Sequence, residues 1–243
     1  MRPPAANFSH VCLSRQQQMV HGSDLEYALQ RYFYPTVAIF GIFGNMLNLT
    51  VLLNRSMRNR ANTFLSVLAF ADIIFLFLLF PNILANYSIF TFNYSFRWLY
   101  FHSKVHLLSL ANWCSAVAIW CVILVCADRL VGIRNPLYVR GSWGRGRMPA
   151  LLSAVFILTG AMTAYQHVEY FCLVRSYCND TQLYSRCMPI NNDGSWWGNQ
   201  TNPFSSAFRQ FLATSAMLYI FAMILFPIVL LTVIMLLRLL KRY

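Results

Sequence analysis

The sequence "SVLAFADIIFLFLLF", residues 66–80, decides the fold. It is apolar except for one serine and one carboxylate, Asp72. The run is part of a longer one from Ala61 to Ala85, which as an α-helix would cross the roughly 30 Å hydrocarbon core of a bilayer. Only helices and closed barrels pair all their backbone groups inside lipid, and the run lacks the two-residue alternation of a barrel strand. We therefore predict a membrane-spanning helix.

Four further apolar runs predict an all-α membrane protein with five transmembrane helices. Of the 243 residues, 58% are hydrophobic and 11% are charged, which excludes an ordinary soluble domain. The net charge of +12 does not indicate a nucleic-acid binder, because the basic residues lie between apolar blocks and not on one polar surface. The other runs are Tyr34 to Leu53, Val105 to Ala127, Met148 to Tyr165 and Phe211 to Leu237. The predicted helices cover residues 34–54, 61–85, 103–134, 148–166 and 208–240.

The basic residues place the N-terminus outside the cell and the C-terminus in the cytosol. Short loops rich in Lys and Arg favour the cytosolic side, and 54–60, 129–147 and the tail from Arg238 hold 11 basic residues in 32 positions. The segments assigned to the outside hold 8 in 95. Residues 1–33 are thus predicted to be an extracellular tail before a helical bundle at 34–243. Because "MRPPAANFSH" contains no apolar run, we expect no cleavable signal peptide.

Glycosylation triplets agree with this orientation. The pattern Asn-x-Ser/Thr occurs in segments assigned to the outside, where sugars are attached. Asn86 carries the same pattern but lies close to the membrane. The predicted glycosylation sites are Asn7, Asn93, Asn179 and Asn199.

The seven cysteines divide between the outside and the third apolar run. Four outer cysteines can form up to two disulfides, and the sequence leaves all three complete pairings open. The three cysteines of the third run are interpreted as small core residues, because free Cys packs like a small hydrophobe. The outer four are Cys12, Cys172, Cys178 and Cys187, and the inner three are Cys114, Cys121 and Cys126.

Two polar residues lie near the middle of the predicted spans. An ionised carboxylate there costs about 3 kcal/mol, so Asp72 indicates a functional position more than a packing one. Asn45 follows Gly41 and Gly44, whose spacing favours a close helix approach. We expect the Asn45 amide to hydrogen-bond Asp72 across the two helices, with simple packing as the alternative for both residues.

An acid and a base end the third run in "CVILVCADRLVGIRNPLY", residues 121–138. Asp128 and Arg129 come directly after apolar residues at the predicted cytosolic edge. Two interpretations remain for this pair: an interfacial anchor with a snorkelling arginine, or an ion pair that changes partner when a neighbouring helix moves.

Five short motifs together resemble the rhodopsin family of G-protein-coupled receptors. They are "GN" in the first run, "LAFAD" in the second, "ADRL" at the end of the third, "NPLY" just beyond it and "FP" in the fifth. Each motif alone is weak, but their order, spacing and membrane side agree. The resemblance covers the chain from Tyr34 onward and implies part of a seven-helix receptor bundle.

The family resemblance assigns roles to matching positions. Asp128 and Arg129 resemble the family's Asp-Arg-Tyr triplet, which implies an activation switch for the G protein. Asn45 and Asp72 match its central polar network. The resemblance gives only weak support for a sodium ion at Asp72, because Ala118 stands where the family commonly supplies a hydroxyl. The fifth-helix proline, Pro227, implies a helix bulge near the ligand pocket.

The resemblance further implies a plasma-membrane receptor surrounded by lipid, coupled to a heterotrimeric G protein and able to associate with another receptor. Ala111 stands where amine receptors keep an Asp, which argues against a biogenic amine. The sequence "MRNRANTFLSVLAFAD" is similar to neuropeptide receptors of the FMRFamide type, which implies an extracellular peptide ligand. By analogy the ligand-binding candidates are Asn112, Ser115 and Tyr219, with Glu169 and Arg209 at the mouth.

The sequence departs from the family at the disulfide and at the end. The usual third-helix cysteine is absent, and Lys104 stands near that position. The chain ends at "LLRLLKRY", so we expect a receptor truncated after its fifth helix that does not signal alone. An incomplete gene model, a truncated isoform that modulates a full-length receptor, and half of a two-part receptor remain open.

Two other classes of protein fit the sequence less well. A small transporter or channel would place Asp72 in the membrane but should show inverted repeats or rings of charge. An enzyme would need a clustered catalytic set, and we predict none. His102 and His106, four residues apart, have no acidic residue beside them, so we predict no metal site.

Overall fold

The computed structural model describes residues 10–20, 22–57, 59–134, 147–191 and 202–240. Five helices in this part of the chain are long and apolar enough to cross a membrane, which confirms the predicted number of spans. Asn7, Asn199 and the "NPLY" motif lie outside the described residues. The spans, named first to fifth in chain order, are Asp24–Leu52, Arg60–Leu84, Tyr94–Leu130, Arg147–His167 and Ser206–Leu230.

These spans are built from α-helices joined to shorter helical turns. The short connecting turns and helices are Arg55–Met57, Ser88–Thr91 and Ala164–His167. Two π-helical turns, Leu29–Phe33 and Phe221–Leu225, interrupt the first and fifth spans. The α-helices are Arg15–Gln18, Asp24–Ala28, Tyr34–Leu52, Arg60–Leu84, Tyr94–Arg134, Arg147–Thr163, Ser206–Ile220 and Phe226–Leu240.

The first span begins ten residues earlier than the predicted helix at 34–54. Ser23 caps its first turn by accepting a hydrogen bond from the backbone N–H of Glu26, at 3.2 Å. Asp24 and Glu26 then place negative charge at the positive end of the helix. The part of the predicted tail closest to the membrane is therefore helical.

The third helix, Tyr94–Arg134, has 41 residues and begins nine residues before the predicted start at 103. At 1.5 Å per residue it is about 60 Å long, roughly twice the thickness of a bilayer core. Asn93 caps it, since its side-chain oxygen accepts a hydrogen bond from the N–H of Phe96 at 3.0 Å. The outer end of this helix consequently projects beyond the membrane and supports the extracellular segments.

An antiparallel hairpin follows the fourth span, and the sequence analysis did not predict it. Strand β1, Tyr170–Tyr177, pairs with β2, Gln182–Pro189, so that Cys172 lies opposite Cys187. The turn between the strands places three consecutive residues at positive φ: Cys178, Asn179 and Asp180. Asn and Asp tolerate this conformation better than other non-glycine residues do.

The helices pack closely where one of them carries a small residue. A Cβ added at Gly41 would lie 2.7 Å from Leu76 of the second span, and one added at Gly160 would lie 3.2 Å from the indole of Trp113. The second and third spans share an apolar core of Ala71, Val117 and Cys121. Small residues let transmembrane backbones approach, so these contacts fix the positions of the first four spans.

Many large apolar side chains face outward from the bundle. Phe40, Ile157 and Met217 are each at least 70% exposed. Such surface is normal for a membrane protein, because lipid tails are as apolar as these side chains. The outward apolar surface agrees with a multi-pass membrane protein.

The fifth span changes its helical hydrogen bonding next to its proline. The π-turn Phe221–Leu225 ends one residue before Phe226, and Pro227 follows. Proline cannot donate to the carbonyl four residues earlier, and π-turns are a common way for a helix to adjust to such a break. The bulge implied at Pro227 thus has a π-turn immediately before it.

Candidate functional site

Arg97 holds the outer segments together at the projecting end of the third span. Arg97 is 4% exposed, and its guanidinium donates hydrogen bonds to three backbone carbonyls. The bonds reach Gln18 at 2.7 Å, Thr91 at 2.8 Å and Leu183 at 3.0 and 2.5 Å. The guanidinium also lies 4.9 Å from the ring centre of Phe101. One side chain therefore joins the N-terminal segment, the connector and the hairpin to the third span.

Two disulfides complete this outer structure. Cys172 and Cys187 link the two strands of the hairpin, and Cys12 and Cys178 link the N-terminal segment to its turn. Beside the second bond, the N–H of Leu13 donates to the Gln182 side chain at 2.7 Å. This arrangement is one of the three pairings that the sequence left open. The third span joins the hairpin through Arg97 in place of the disulfide usual in the rhodopsin family.

Lys104 lies between two cavities at the outer end of the bundle. A cavity of about 180 Å³ opens between the third span, the end of the fourth span and the hairpin. A second cavity, of about 210 Å³, opens between the first three spans. The first is lined by Lys104, Ser109, Asn112, Gln166, Glu169 and Tyr170, among others. The second is lined by Lys104, Glu26, Gln30, Asn82 and Tyr100, among others.

The two cavities combine one cation with a carboxylate on either side. Glu26 lines the cavity on the side of the first span, and Glu169 lines the cavity beside the hairpin. Partial burial raises the pKa of Glu169 above its usual range. Burial, and next the neighbouring Glu169 charge, raise the pKa of Tyr170. Because Lys104 and one glutamate line each cavity, both cavities can accept groups of either charge from the extracellular side.

A chain of polar side chains begins at Asn112 and Gln166 in the wall of the first cavity. Asn112 donates a hydrogen bond to the buried Gln166 at 2.9 Å, and Gln166 contacts the hydroxyl of Tyr165 at 3.4 Å. The Tyr165 ring packs edge-on against Tyr219, with the ring centres 6.2 Å apart. The structure thus brings two ligand-binding candidates, Asn112 and Tyr219, into one network.

The remaining ligand-site candidates occupy different places. Ser115 is half-buried on the third span and is not among the residues that line either cavity. Glu169 lines the first cavity, as expected for a residue at its mouth. Arg209 lies in the first turns of the fifth span, also outside the lining of both cavities.

Asp128 faces the second span and not its neighbour Arg129. Its carboxylate lies 3.9 Å from the guanidinium of Arg60, which begins the second span, and both side chains are about a quarter exposed. Consecutive residues of a helix point in different directions, so Asp128 turns inward while Arg129 remains exposed. The expected restraint of Arg129 by Asp128 is therefore replaced by an ion pair between the second and third spans.

Asn45 and Asp72 are not joined by the predicted hydrogen bond. The Asn45 amide donates instead to the carbonyl of Gly41, one turn earlier in its own helix, at 3.0 Å. Asp72 is half-buried near Cys121 of the third span. The amide is satisfied within its own helix, which removes the need for a partner on the second span.

A larger apolar groove of about 770 Å³ separates the third, fourth and fifth spans. Leu158, Phe211 and Leu218 line it and are each more than half exposed. Trp120 also lines the groove and stacks on Phe226. Its apolar lining suits lipid chains.

Two predicted glycosylation sites lie in the described part of the chain. Asn93, which caps the third helix, and Asn179, in the hairpin turn, are both exposed. Glycosylation at these positions remains a prediction. Asn86 is buried and its amide bonds the Gln30 side chain, so its side chain is poorly accessible.

Comparison with known proteins identifies the family. Residues 32–243 match the family described as serpentine type seven-transmembrane G-protein-coupled chemoreceptor Srw. The chain belongs to the Srw family. A putative G-protein coupled receptor of Caenorhabditis elegans is 32% identical over 227 residues, which cover 93% of this chain and 53% of that protein. A probable G-protein coupled receptor of the same nematode is 28% identical over 157 residues, 60% of this chain and 35% of that protein.

Membership of the Srw family confirms the general prediction of a G-protein-coupled receptor in the plasma membrane. The match to Srw places the chain among chemoreceptors, and neither match names a neuropeptide. G-protein-coupled receptors are not enzymes, in agreement with the prediction. The chain spans about half the length of the first of the two curated relatives.

Sequence reasoning missed three residues that organise the outer site. Arg97 and Lys104 are the two basic residues between 86 and 104, and the sequence analysis assigned neither of them a role in the ligand site. Gln166 lies at the end of an apolar run, where a buried amide indicates a hydrogen-bonded network. An isolated polar residue beside a predicted span was the available signal in each case.

Proposed function

We propose that this Srw chain forms the outer ligand site and part of the cytosolic switch of a receptor for a short extracellular peptide, acting through a heterotrimeric G protein. The observation that carries the proposal is the pair of cavities on either side of Lys104. Each joins this cation to a carboxylate from another segment, Glu26 or Glu169.

The chemistry of the cavities favours a ligand with several polar groups of both kinds. A Lys ammonium donates to carbonyl or carboxylate oxygens, and a glutamate accepts from ammonium or guanidinium groups. The Asn112–Gln166 pair supplies amide donors and acceptors that match peptide groups. A short amidated peptide of the FMRFamide type carries a guanidinium for Glu26 or Glu169 and an amide for Asn112.

The cytosolic end supports coupling to a G protein. Arg129 is exposed at the inner end of the third span, within the basic segment that faces the cytosol. The Arg60–Asp128 pair connects the second and third spans at the same level. A shift of either helix would change this pair and the direction in which Arg129 points.

The response to short peptides of a receptor that carries this sequence tests the proposal. Cells expressing it are exposed to a panel of short amidated peptides, and dissociation of the G protein is recorded. For an active peptide, Lys104→Gln and Glu169→Gln should each raise the half-effective concentration about 10- to 100-fold, because a charge-assisted hydrogen bond is lost.

Asp24→Asn is the matched control, since Asp24 is exposed two residues before Glu26. It should leave the response unchanged, whereas Glu26→Gln should weaken it. Equal responses in the wild type and in all three cavity variants, Lys104→Gln, Glu169→Gln and Glu26→Gln, would overturn the ligand site. Ion flux through the purified chain in vesicles would overturn the receptor function itself.

A further inference from the structure

Two histidines from different spans face each other at the outer surface. His106 is on the third span, and His167 ends the short helical turn Ala164–His167 after the fourth. Their Nδ1 atoms are 3.0 Å apart and their ring centres 5.2 Å apart. His102, one turn before His106, is turned away: its Nδ1 contacts the carbonyl of Trp98 at 2.7 Å.

The Nδ1–Nδ1 contact defines the chemistry that the pair can perform. In the neutral pair one Nδ1 carries a proton and donates it to the lone pair of the other. When a metal ion binds, the ring that carried the Nδ1 proton takes its other neutral tautomer, with the proton on Nε2, so that both Nδ1 lone pairs face the ion. Two zinc–nitrogen bonds of about 2.0–2.1 Å at a tetrahedral angle separate the nitrogens by about 3.3 Å. The rings need to move apart by only a few tenths of an ångström.

We propose that His106 and His167 bind Zn²⁺ or a similar transition-metal ion such as Cu²⁺ on the extracellular side. Imidazole nitrogen suits these ions, whereas Mg²⁺ and Ca²⁺ prefer oxygen ligands. Within the described residues no group of three His, Cys, Asp or Glu side chains gathers at one point. The protein therefore supplies two ligands, and water completes the coordination.

The position of the pair gives ions from the extracellular water access to it. His106 is 23 residues before Arg129 along one continuous helix, a distance of about 35 Å, which exceeds the thickness of the hydrocarbon core. His106 is exposed and His167 is half-exposed. A bound ion would clamp the third span to the base of the hairpin, since β1 begins three residues after His167.

Thermal unfolding of the full chain in detergent micelles tests the site. At pH 7.5, 1 mM ZnCl₂ should raise the unfolding midpoint by about 2–4 °C over 1 mM MgCl₂, because an ion that binds only the folded state stabilises it. The rise should persist in His102→Gln, the matched control. It should disappear in His106→Gln and in His167→Gln.

Electron paramagnetic resonance of added Cu²⁺ provides a second readout that needs only folded protein. The wild type should show hyperfine coupling to two nitrogens, and each single variant of the pair should show fewer. An equal zinc effect in the wild type and the double variant His106→Gln/His167→Gln would overturn the site. The same conclusion follows if neither zinc stabilisation nor two-nitrogen coupling is seen in the wild type.

Discussion

The guanidinium of Arg97 holds the backbone carbonyl of Leu183 through two of its nitrogens, Nε at 3.0 Å and Nη2 at 2.5 Å. The two residues are separated by 86 positions and by the whole of the fourth span. This contact joins the outer end of the third span to the hairpin without a covalent bond.

Arg97→Met should loosen the outer structure. The change keeps an apolar stem but removes every donor, so the carbonyls of Gln18, Thr91 and Leu183 lose their partner. We expect the free energy of unfolding to fall by about 2–4 kcal/mol. Hydrogen exchange should show faster exchange in the hairpin. Arg15→Met, which removes an exposed arginine, is the control, and equal protection in both variants would contradict the role of Arg97.

The disulfide pairing predicts which cysteine each substitution releases. Cys12→Ser should leave Cys178 open to a membrane-impermeant maleimide while the Cys172–Cys187 bond stays intact. Cys172→Ser should release Cys187 in the same way. Mass spectrometry of non-reduced peptides checks both. Release of Cys187 by the Cys12 substitution would show a different pairing.

Glu169 should make the stability of the outer structure depend on pH. Its pKa is raised in the folded state, so the folded protein holds the proton more strongly than the unfolded chain does. Stability is therefore fully present below the ordinary glutamate pKa and decreases as the pH rises toward the raised value. Glu169→Gln should flatten this slope in pH-dependent melting curves. Asp180→Asn, in the exposed hairpin turn, should retain it.

Gly160→Val should destabilise the packing between the third and fourth spans. The new side chain would meet the indole of Trp113, which is fixed by hydrogen bonds of 3.2 Å to Phe156 and Thr159. We expect a loss of about 1–3 kcal/mol from overpacking. Gly44→Val makes the same change in helix propensity, but a Cβ added at Gly44 meets no atom within 4 Å. Thermal melting of the two variants separates packing from propensity.

The Arg60–Asp128 pair should contribute little to stability. Both side chains are about a quarter exposed and 3.9 Å apart. A double-mutant cycle with Arg60→Gln and Asp128→Asn should therefore give a coupling of only about 0.2–1 kcal/mol in chemical unfolding. A coupling several times larger would mean that the pair is a main support of the helix packing and not a contact that can change partner.

The membrane helices could be predicted because their signal is local. Long apolar runs and the distribution of arginines are properties of neighbouring residues, and they fixed the number and orientation of the spans. The early start of the third helix was missed because residues 94–102 mix Arg97 and His102 with aromatic residues. This first part of the third helix is stabilised by contacts with the hairpin and the N-terminal segment, which are distant in sequence.

The site was predicted less completely because its contacts depend on side-chain direction. The motif "ADRL" placed Asp128 at the correct end of the third span, but its partner Arg60 comes from 68 positions earlier. Asn45 bonds its own helix, which neither residue type nor spacing indicated. Lys104 was noted for a missing cysteine, while its position between two cavities depends on the folded hairpin.

The Cys12–Cys178 bond spans 166 positions and so encloses the first four spans in one covalent ring. Because Cys178 follows the fourth span, the ring can close only after four helices have crossed the membrane and the hairpin has reached the oxidising side. During synthesis the N-terminal segment must therefore remain unattached until most of the bundle is inserted. Formation of this bond thus marks a late point in biogenesis, at which the extracellular structure becomes covalently complete.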